Sequence, residues 1–380
     1  MKILMFGWEF PPFISGGLGT ACHGLLKGLS QLGGTDISFV LPQQFRGAHP
    51  AFVQLISLPD AVMARPRAPG AYDSGLMPDV ISYANRAGKF LADYGDFDII
   101  HAHDWLTALA GIQAKQCSGR PLILHVHSTE FDRAGKQGNP EIEAIERQAV
   151  EHADRVIAVS NYTRDVLIEH YQADPAKIVT IHNGTEQRAA PSPRPARNYQ
   201  PTVTFLGRIT RQKGPSYFIE AAWLALRQRP DLRFIMAGDG DLLPQMKELA
   251  GRYGLTERMR FPGFLQQDEV QHVLEHSDVY VMPSVSEPFG LTALEAVAAG
   301  VPAILSRQSG VVEVLQHVIK VDYWDTCAMA EAMIRIVSDQ AYADTLRSHA
   351  LCELEQVQWT HAAATVRSTY RELASMAKFA

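Results

Sequence analysis

A chain of 380 residues is too long for one ordinary hydrophobic core, and its 46% apolar content supplies enough side chains for two. Its 35 Lys and Arg against 41 Asp and Glu leave a net charge of −6, with no basic stripe to hold a nucleic acid. No stretch approaches the ~18 consecutive apolar residues of a membrane span and the N-terminus is no signal peptide, so a cytoplasmic protein without an integral membrane segment is expected.

Short apolar runs alternate with amphipathic stretches from the first residue, the pattern of parallel strands joined by crossover helices. In the first half strands are expected at Lys2–Gly7, Asp36–Leu41, Phe97–His101, Leu122–His127, Arg155–Ser160 and Ile178–His182. Helices are expected at Gly17–Leu32, Trp105–Gln116 and Pro140–His152. The run from Thr185 to Gln200 is rich in Pro and Arg, has no apolar period, and reads as a linker. Alternation then restarts with strands at Thr202–Leu206, Arg233–Ala237, Val279–Met282 and Ala303–Leu305, and helices near Pro215–Arg229, Leu243–Tyr253 and Gly290–Ala299. Only helices are expected after that, the last near Thr360–Ala377 with one apolar face that needs a groove.

The fold class is therefore α/β, with two Rossmann-like doubly wound parallel sheets facing a cleft. Residues 1–184 are expected to form a first Rossmann-like domain, 185–200 the linker, 201–358 a second Rossmann-like domain, and 359–380 a helix returning to the first domain. Ligands of such sheets bind beyond the carboxyl ends of the strands, so the informative residues should follow strands. The four cysteines, Cys22, Cys117, Cys327 and Cys352, have no metal or redox spacing and read as reduced thiols.

After the first strand, Gly16, Gly17 and Gly19 let the backbone approach a phosphate at a helix N-terminus, although a plain tight turn explains them as simply. After the first strand of the second half, G-R-I-T-R-Q-K-G-P puts Arg208 and Lys213 on one loop, where two cations can converge on a diphosphate. The stretch V-Y-V-M-P-S-V-S-E-P-F-G-L-T-A-L-E places Glu287 in a loop and then Phe289, Gly290, Leu291 and Thr292 at the opening of a helix that carries Glu295. Loop carboxylate, helix N-terminus and helix carboxylate suit the hydroxyls, phosphate and ribose of a nucleotide-sugar.

With H-A-H-D-W-L-T-A-L-A-G from His101, H-V-H-S-T-E-F from His125, V-S-N-Y-T from Val159 and the two glutamates eight apart, the chain resembles retaining glycosyltransferases of the glycogen synthase and sucrose synthase type, family 4 with the GT-B fold. The resemblance implies that Arg208 and Lys213 bind the donor diphosphate, Glu287 lies against the donor sugar, and Glu295 holds the ribose. It also implies that His127 faces the reacting centre and that Asp104 lies on the acceptor side. The donor would be a nucleotide diphosphate-sugar, UDP or ADP first, the acceptor a carbohydrate or small molecule, with neither cofactor nor metal. Bacterial glycogen synthases carry a lysine and a histidine where this chain has Ile14 and Leu106, which weakens the case for glucan synthesis.

Two other classes compete. His101-x-His103 and His125-x-His127 put paired imidazoles on strand faces, as a metal-dependent hydrolase would, but no paired carboxylate ligands follow at strand ends. A nucleotide-sugar epimerase or binding protein is the third reading. Asp239-Gly240-Asp241 reads as turn chemistry rather than a metal-binding Asp-x-Asp.

Overall fold

The computed structural model describes residues 1–14, 16–59, 74–186 and 200–376. The chain divides into a first unit, Met1–Glu186 with Gln358–Ala380, and a second unit, Gln187–Val357.

The first unit runs β1 (Lys2–Phe6), α1 (Gly17–Leu32), β2 (Asp36–Leu41), β3 (Gln54–Ser57), α2 (Met77–Leu91), β4 (Ile99–His103), α3 (Asp104–Ser118) and β5 (Leu122–Val126). It continues through α4 (Glu130–Ala134), α5 (Pro140–His152), β6 (Arg155–Ala158), α6 (Asn161–Tyr171) and β7 (Ile178–Thr180). Its seven strands are parallel in the order β3-β2-β1-β4-β5-β6-β7. Runs such as K-I-L-M-F become central strands because helices cover both faces of such a sheet, and residues 3–6 are buried on both.

The second unit runs β8 (Thr202–Leu206), α7 (Pro215–Gln228), β9 (Arg233–Ala237), α8 (Leu243–Arg252), β10 (Met259–Gly263), α9 (Gln267–Glu275) and β11 (Val279–Met282). It ends with α10 (Leu291–Ala298), β12 (Ala303–Ser306), β13 (Ile319–Val321), α11 (Thr326–Ser338) and α12 (Gln340–Leu354). Six parallel strands lie in the order β10-β9-β8-β11-β12-β13, over a core that includes Phe205, Phe218 and Phe234. The strand order reverses between β1 and β4 in one sheet and between β8 and β11 in the other, and crevices open at such switch points.

The chain then re-enters the first unit as α13 (Trp359–Met376), which packs on α1. Contact is close because α1 offers glycines: a Cβ on Gly24 would lie 2.1 Å from Cε2 of Trp359, and one on Gly28 would lie 2.6 Å from its carbonyl oxygen.

Several expectations need correction. The strand expected at Phe97–His101 runs two residues later, because His103 pairs with His125 and stays inside the sheet. A strand, β13, follows the expected last one, on the edge beside β12. The expected linker is tied down at its start: Thr185 pairs with Gln358, and Glu186 takes the Lys27 ammonium at 2.8 Å. Its residues 187–199 lie outside the described residues.

Candidate active site

In the first unit the polar residues gather at the carboxyl ends of β1, β4 and β5. Gly16 precedes α1 and Gly17 opens it, without a side-chain cap from Gly16. The Gly19 amide donates instead to Oε1 of Glu9, at 3.1 Å. A carboxylate thus sits where the sequence suggested phosphate, and of the three glycines Gly19 has already given its amide to an anion.

His101 and His103 project from the same face of β4, and His125 and His127 do the same on and after β5, since alternate residues of a strand share a face. The four rings form a two-by-two block. Along each chain they stack, at 4.5 Å and 20° for His101 on His103 and at 4.3 Å and 19° for His125 on His127. Across the strands they meet edge to edge, with Nε2 of His101 3.2 Å from Nδ1 of His125 and Nδ1 of His103 2.9 Å from Nε2 of His127. The outer nitrogen of His101 is closed by the Tyr370 hydroxyl of α13 at 2.6 Å. Burial holds all four neutral, pushing His101 and His127 down to about 3 and His103 and His125 well below the ordinary imidazole value.

Asp104 opens α3 with φ 54°, in the left-handed region. This turn aims Oδ1 at the backbone amides of His127, at 2.6 Å, and Ser128, at 3.3 Å. The residue expected on the acceptor side is therefore buried, and it positions the His127 loop. Burial raises its carboxyl to about 7 against the pull of those two amides. The next turn is anchored by a network that sequence reading missed. Glu146 accepts from the Glu130 amide, Arg133 and Tyr171, while Arg133 also donates to Glu130. Burial lifts Glu146 to about 7, opposed by Arg133.

In the second unit the loop after β8 carries Arg208, whose Nη2 donates to Gln212 at 3.1 Å, and ends in the short 3-10 helix Arg211–Lys213. Gly214 follows at φ 64°, and a Cβ there would lie 2.1 Å from the Pro283 carbonyl, so the two switch-point loops touch through backbone. Lys213 consequently reaches the other loop, with Nζ 2.5 Å from Oε2 of Glu287. That oxygen also accepts from the Ser284 hydroxyl at 3.1 Å. Backbone bonds fix Glu287, its amide donating to Gln308 and its carbonyl accepting from Gly310, both at 2.9 Å. Phe289 is buried beneath the loop, its carbonyl accepting from the Val311 amide at 2.7 Å. Gly290 gives α10 no side-chain cap, and Leu291, Thr292 and Glu295 form the half-buried face behind it. The Thr292 hydroxyl is held by Tyr280 at 2.8 Å. Arg208, Lys213, Glu287 and the opening of α10 thus belong to one pair of loops at one switch point.

Residues 15–187 match glycosyltransferase family 4, and residues 187–351 match glycosyl transferases group 1. The chain belongs to the family 4 glycosyltransferases. This glycosyltransferase is 29% identical to a glycogen synthase of Mycobacterium tuberculosis, over 90% of this chain and 87% of that one. It is also 29% identical to an alpha-maltose-1-phosphate synthase of Mycolicibacterium smegmatis, over 99% and 100%. Its fold is that of sucrose-phosphate synthase from Thermosynechococcus elongatus, with a TM-score of 0.82 at 24% identity over 99% of both chains. The Anabaena protein HepE, solved in complex with UDP-glucose, matches with a TM-score of 0.73 at 20% identity, over 98% and 100%. The architecture is GT-B. Among the described helices of the glycosyltransferase none is long and apolar enough to cross a membrane.

The paired histidines do converge, but the groups of potential metal ligands among the described residues contain imidazole and thiol only, without the carboxylates of a hydrolytic metal pair. Leu106 is a core residue, 1% exposed. Glu9 and Tyr370 escaped sequence reading because no local pattern links a loop glutamate to a helix amide ten residues on, or a C-terminal tyrosine to a strand histidine.

Proposed function

We propose that this glycosyltransferase moves a hexosyl group, glucosyl first, from a nucleotide diphosphate-sugar to a carbohydrate or other hydroxyl acceptor, with retention of configuration and without a metal ion. The observation that carries the reading is the cluster of Arg208, Lys213, Glu287 and the uncapped N-terminus of α10 on two touching loops. Cations and a helix N-terminus suit a departing diphosphate, and preorganised charge of this kind lowers a barrier by several kcal/mol in a dry site, on the order of 3 kcal/mol for one donor. An ammonium has three N–H donors, so Lys213 can keep Glu287 while it meets phosphate. Glu287 then holds a sugar hydroxyl and Glu295 the ribose.

His127, neutral and oriented by His103 and Asp104, serves the donor sugar as a hydrogen-bonding group rather than as a charge. In a front-face transfer the leaving phosphate oxygen accepts the proton of the attacking hydroxyl, so no side chain need act as nucleophile. UDP-glucose is the first donor to test, because a protein of the same fold was solved with it. Thermal melting against UDP-, ADP- and GDP-sugars reads the donor, since a ligand at about 100 times its dissociation constant adds roughly 2.7 kcal/mol. Release of nucleoside diphosphate only when an acceptor is added supports a transferase. Conversion of the donor sugar without acceptor identifies an epimerase and overturns the reading.

A further inference from the structure

We propose that Cys22, His103 and His127 form a trap for a soft divalent cation, zinc first, which silences the enzyme by taking His127 away from the donor sugar. The silencing, though not the binding, rests on the role of His127 proposed above.

The three residues come from separate elements: Cys22 from the buried face of α1, His103 from the end of β4 and His127 from the loop after β5. One ligand atom of each lies within 4.8 Å of the other two. Two imidazoles and a thiolate are a zinc donor set, and a tetrahedral ion places its nitrogens about 3.3 Å apart and sulfur about 3.6 Å from each nitrogen. The imidazole edges already stand 2.9 Å apart, so they need to open by only a few tenths of an ångström. The sulfur, within 4.8 Å of a nitrogen of each ring, has to close by about 1.2 Å at most to reach zinc distance.

The outer ring nitrogens decide where the displaced proton can go. Nε2 of His103 and Nδ1 of His127 are buried and have no hydrogen-bond partner among the described residues. Each neutral ring carries one proton, and a single proton lies between Nδ1 of His103 and Nε2 of His127. A metal on that inner edge moves this proton to an outer nitrogen, while the Cys22 thiol releases its own proton to water. The balance is M²⁺ with one thiolate and two neutral imidazoles, a site of net charge +1.

The neighbouring trio His101, His103 and His125 is less suited. All three are at most 3% exposed and Tyr370 closes His101, whereas His127 is part-exposed and gives an ion a way in.

The test uses the full chain with the exposed Cys117, Cys327 and Cys352 changed to serine, which removes competing thiols. Co²⁺ is titrated optically, Zn²⁺ displaces it, and transferase turnover is followed in parallel. The expected result is one equivalent of Co²⁺ with a thiolate charge-transfer band. That band should vanish in Cys22→Ala and Cys22→Ser, and both variants should bind zinc about 100-fold more weakly. Zinc should inhibit the parent reversibly, and the metal-free variants should keep turnover within about twofold, since sulfur takes no part in transfer. Absence of the band, or equal zinc affinity in parent and Cys22 variants, overturns the site. Cys22-dependent binding that leaves turnover untouched upholds the site and overturns the role given to His127.

Discussion

Two regions of the molecule handle buried polar groups in opposite ways. In the first unit four imidazoles stay neutral at the sheet end, each joined along one edge to another ring, with His101 also held by a tyrosine hydroxyl. In the second, Lys213 and Glu287 are nearly as buried, with side chains 19% and 8% exposed, yet face each other at ion-pair distance. A neutral block fixes ring direction without the desolvation cost of a charge, so it suits a group that must be oriented. An ion pair is a pre-formed place for charge, and a stronger anion can share it.

The comparison breaks most visibly at Lys213. Lys213→Ala should lower turnover about 10²–10³-fold at saturating donor, and Arg208→Ala should do likewise. Wild-type turnover in either variant would remove the diphosphate role. Because Lys213→Ala leaves a buried carboxylate unpaired, it should also destabilise the second unit, by about 1–3 kcal/mol. Adding Glu287→Gln should recover that stability but not the turnover, a cycle that separates folding from chemistry.

The two glutamates should divide. Glu287→Gln should reduce turnover by about 10–100-fold with little change in KM, whereas Glu295→Ala should raise KM about 10-fold at nearly normal turnover, because a ribose contact is the same in ground and transition states. Equal kinetic defects in both would dissolve the distinction.

A pH series sharpens the other side. The four histidines have folded values below the unfolded one, so their contribution is present above about 6.5 and is lost as pH falls toward 3. Asp104 and Glu146, raised to about 7, act in reverse: their contribution is present at acid pH and lost as pH rises through 7. Four groups against two leave the first unit less stable on acidification, each net proton counting for about 1.4 kcal/mol per pH unit. Denaturant unfolding between pH 7 and 5 reads this slope, and Glu146→Gln should steepen it. A flat profile would show that the block is not neutral.

Tyr370→Phe should have a smaller effect, leaving His101 Nδ1 without its partner and costing about 1–3 kcal/mol of stability with turnover unchanged. Chelation should have the smallest effect of all, leaving activity where it was or raising it. Loss of activity in EDTA, restored by manganese, would contradict metal-free transfer.

Much of this was legible in the chain because parallel sheets need long apolar runs, and Asp36–Leu41, Thr202–Leu206, Arg233–Ala237 and Val279–Met282 stand where periodicity put them. Edge strands were harder. β10 contains Pro262 and β13 has only three residues, so neither shows a buried run. For the site, the sequence showed which residue types follow which strands but not which atoms are already engaged. Asp104 is motif chemistry in sequence and a clamp on two amides in space. Lys213 and Glu287, 74 residues apart, were assigned to phosphate and sugar separately, and only the close approach at Gly214 makes them a pair.

The return of α13 to α1 has a consequence for biosynthesis. The apolar side of α1 leaves the ribosome early, but Trp359, which fills the gap beside Gly24 and Gly28, is translated after the whole second unit. At roughly 5–20 residues per second, the interval between Glu186 and the end of α13 lasts about 10–40 s. During that time the inserted unit can finish folding while the unit that began first still exposes a hydrophobic seam. Nascent chains stalled before Trp359 should therefore recruit chaperones through α1, and those released after Met376 should not.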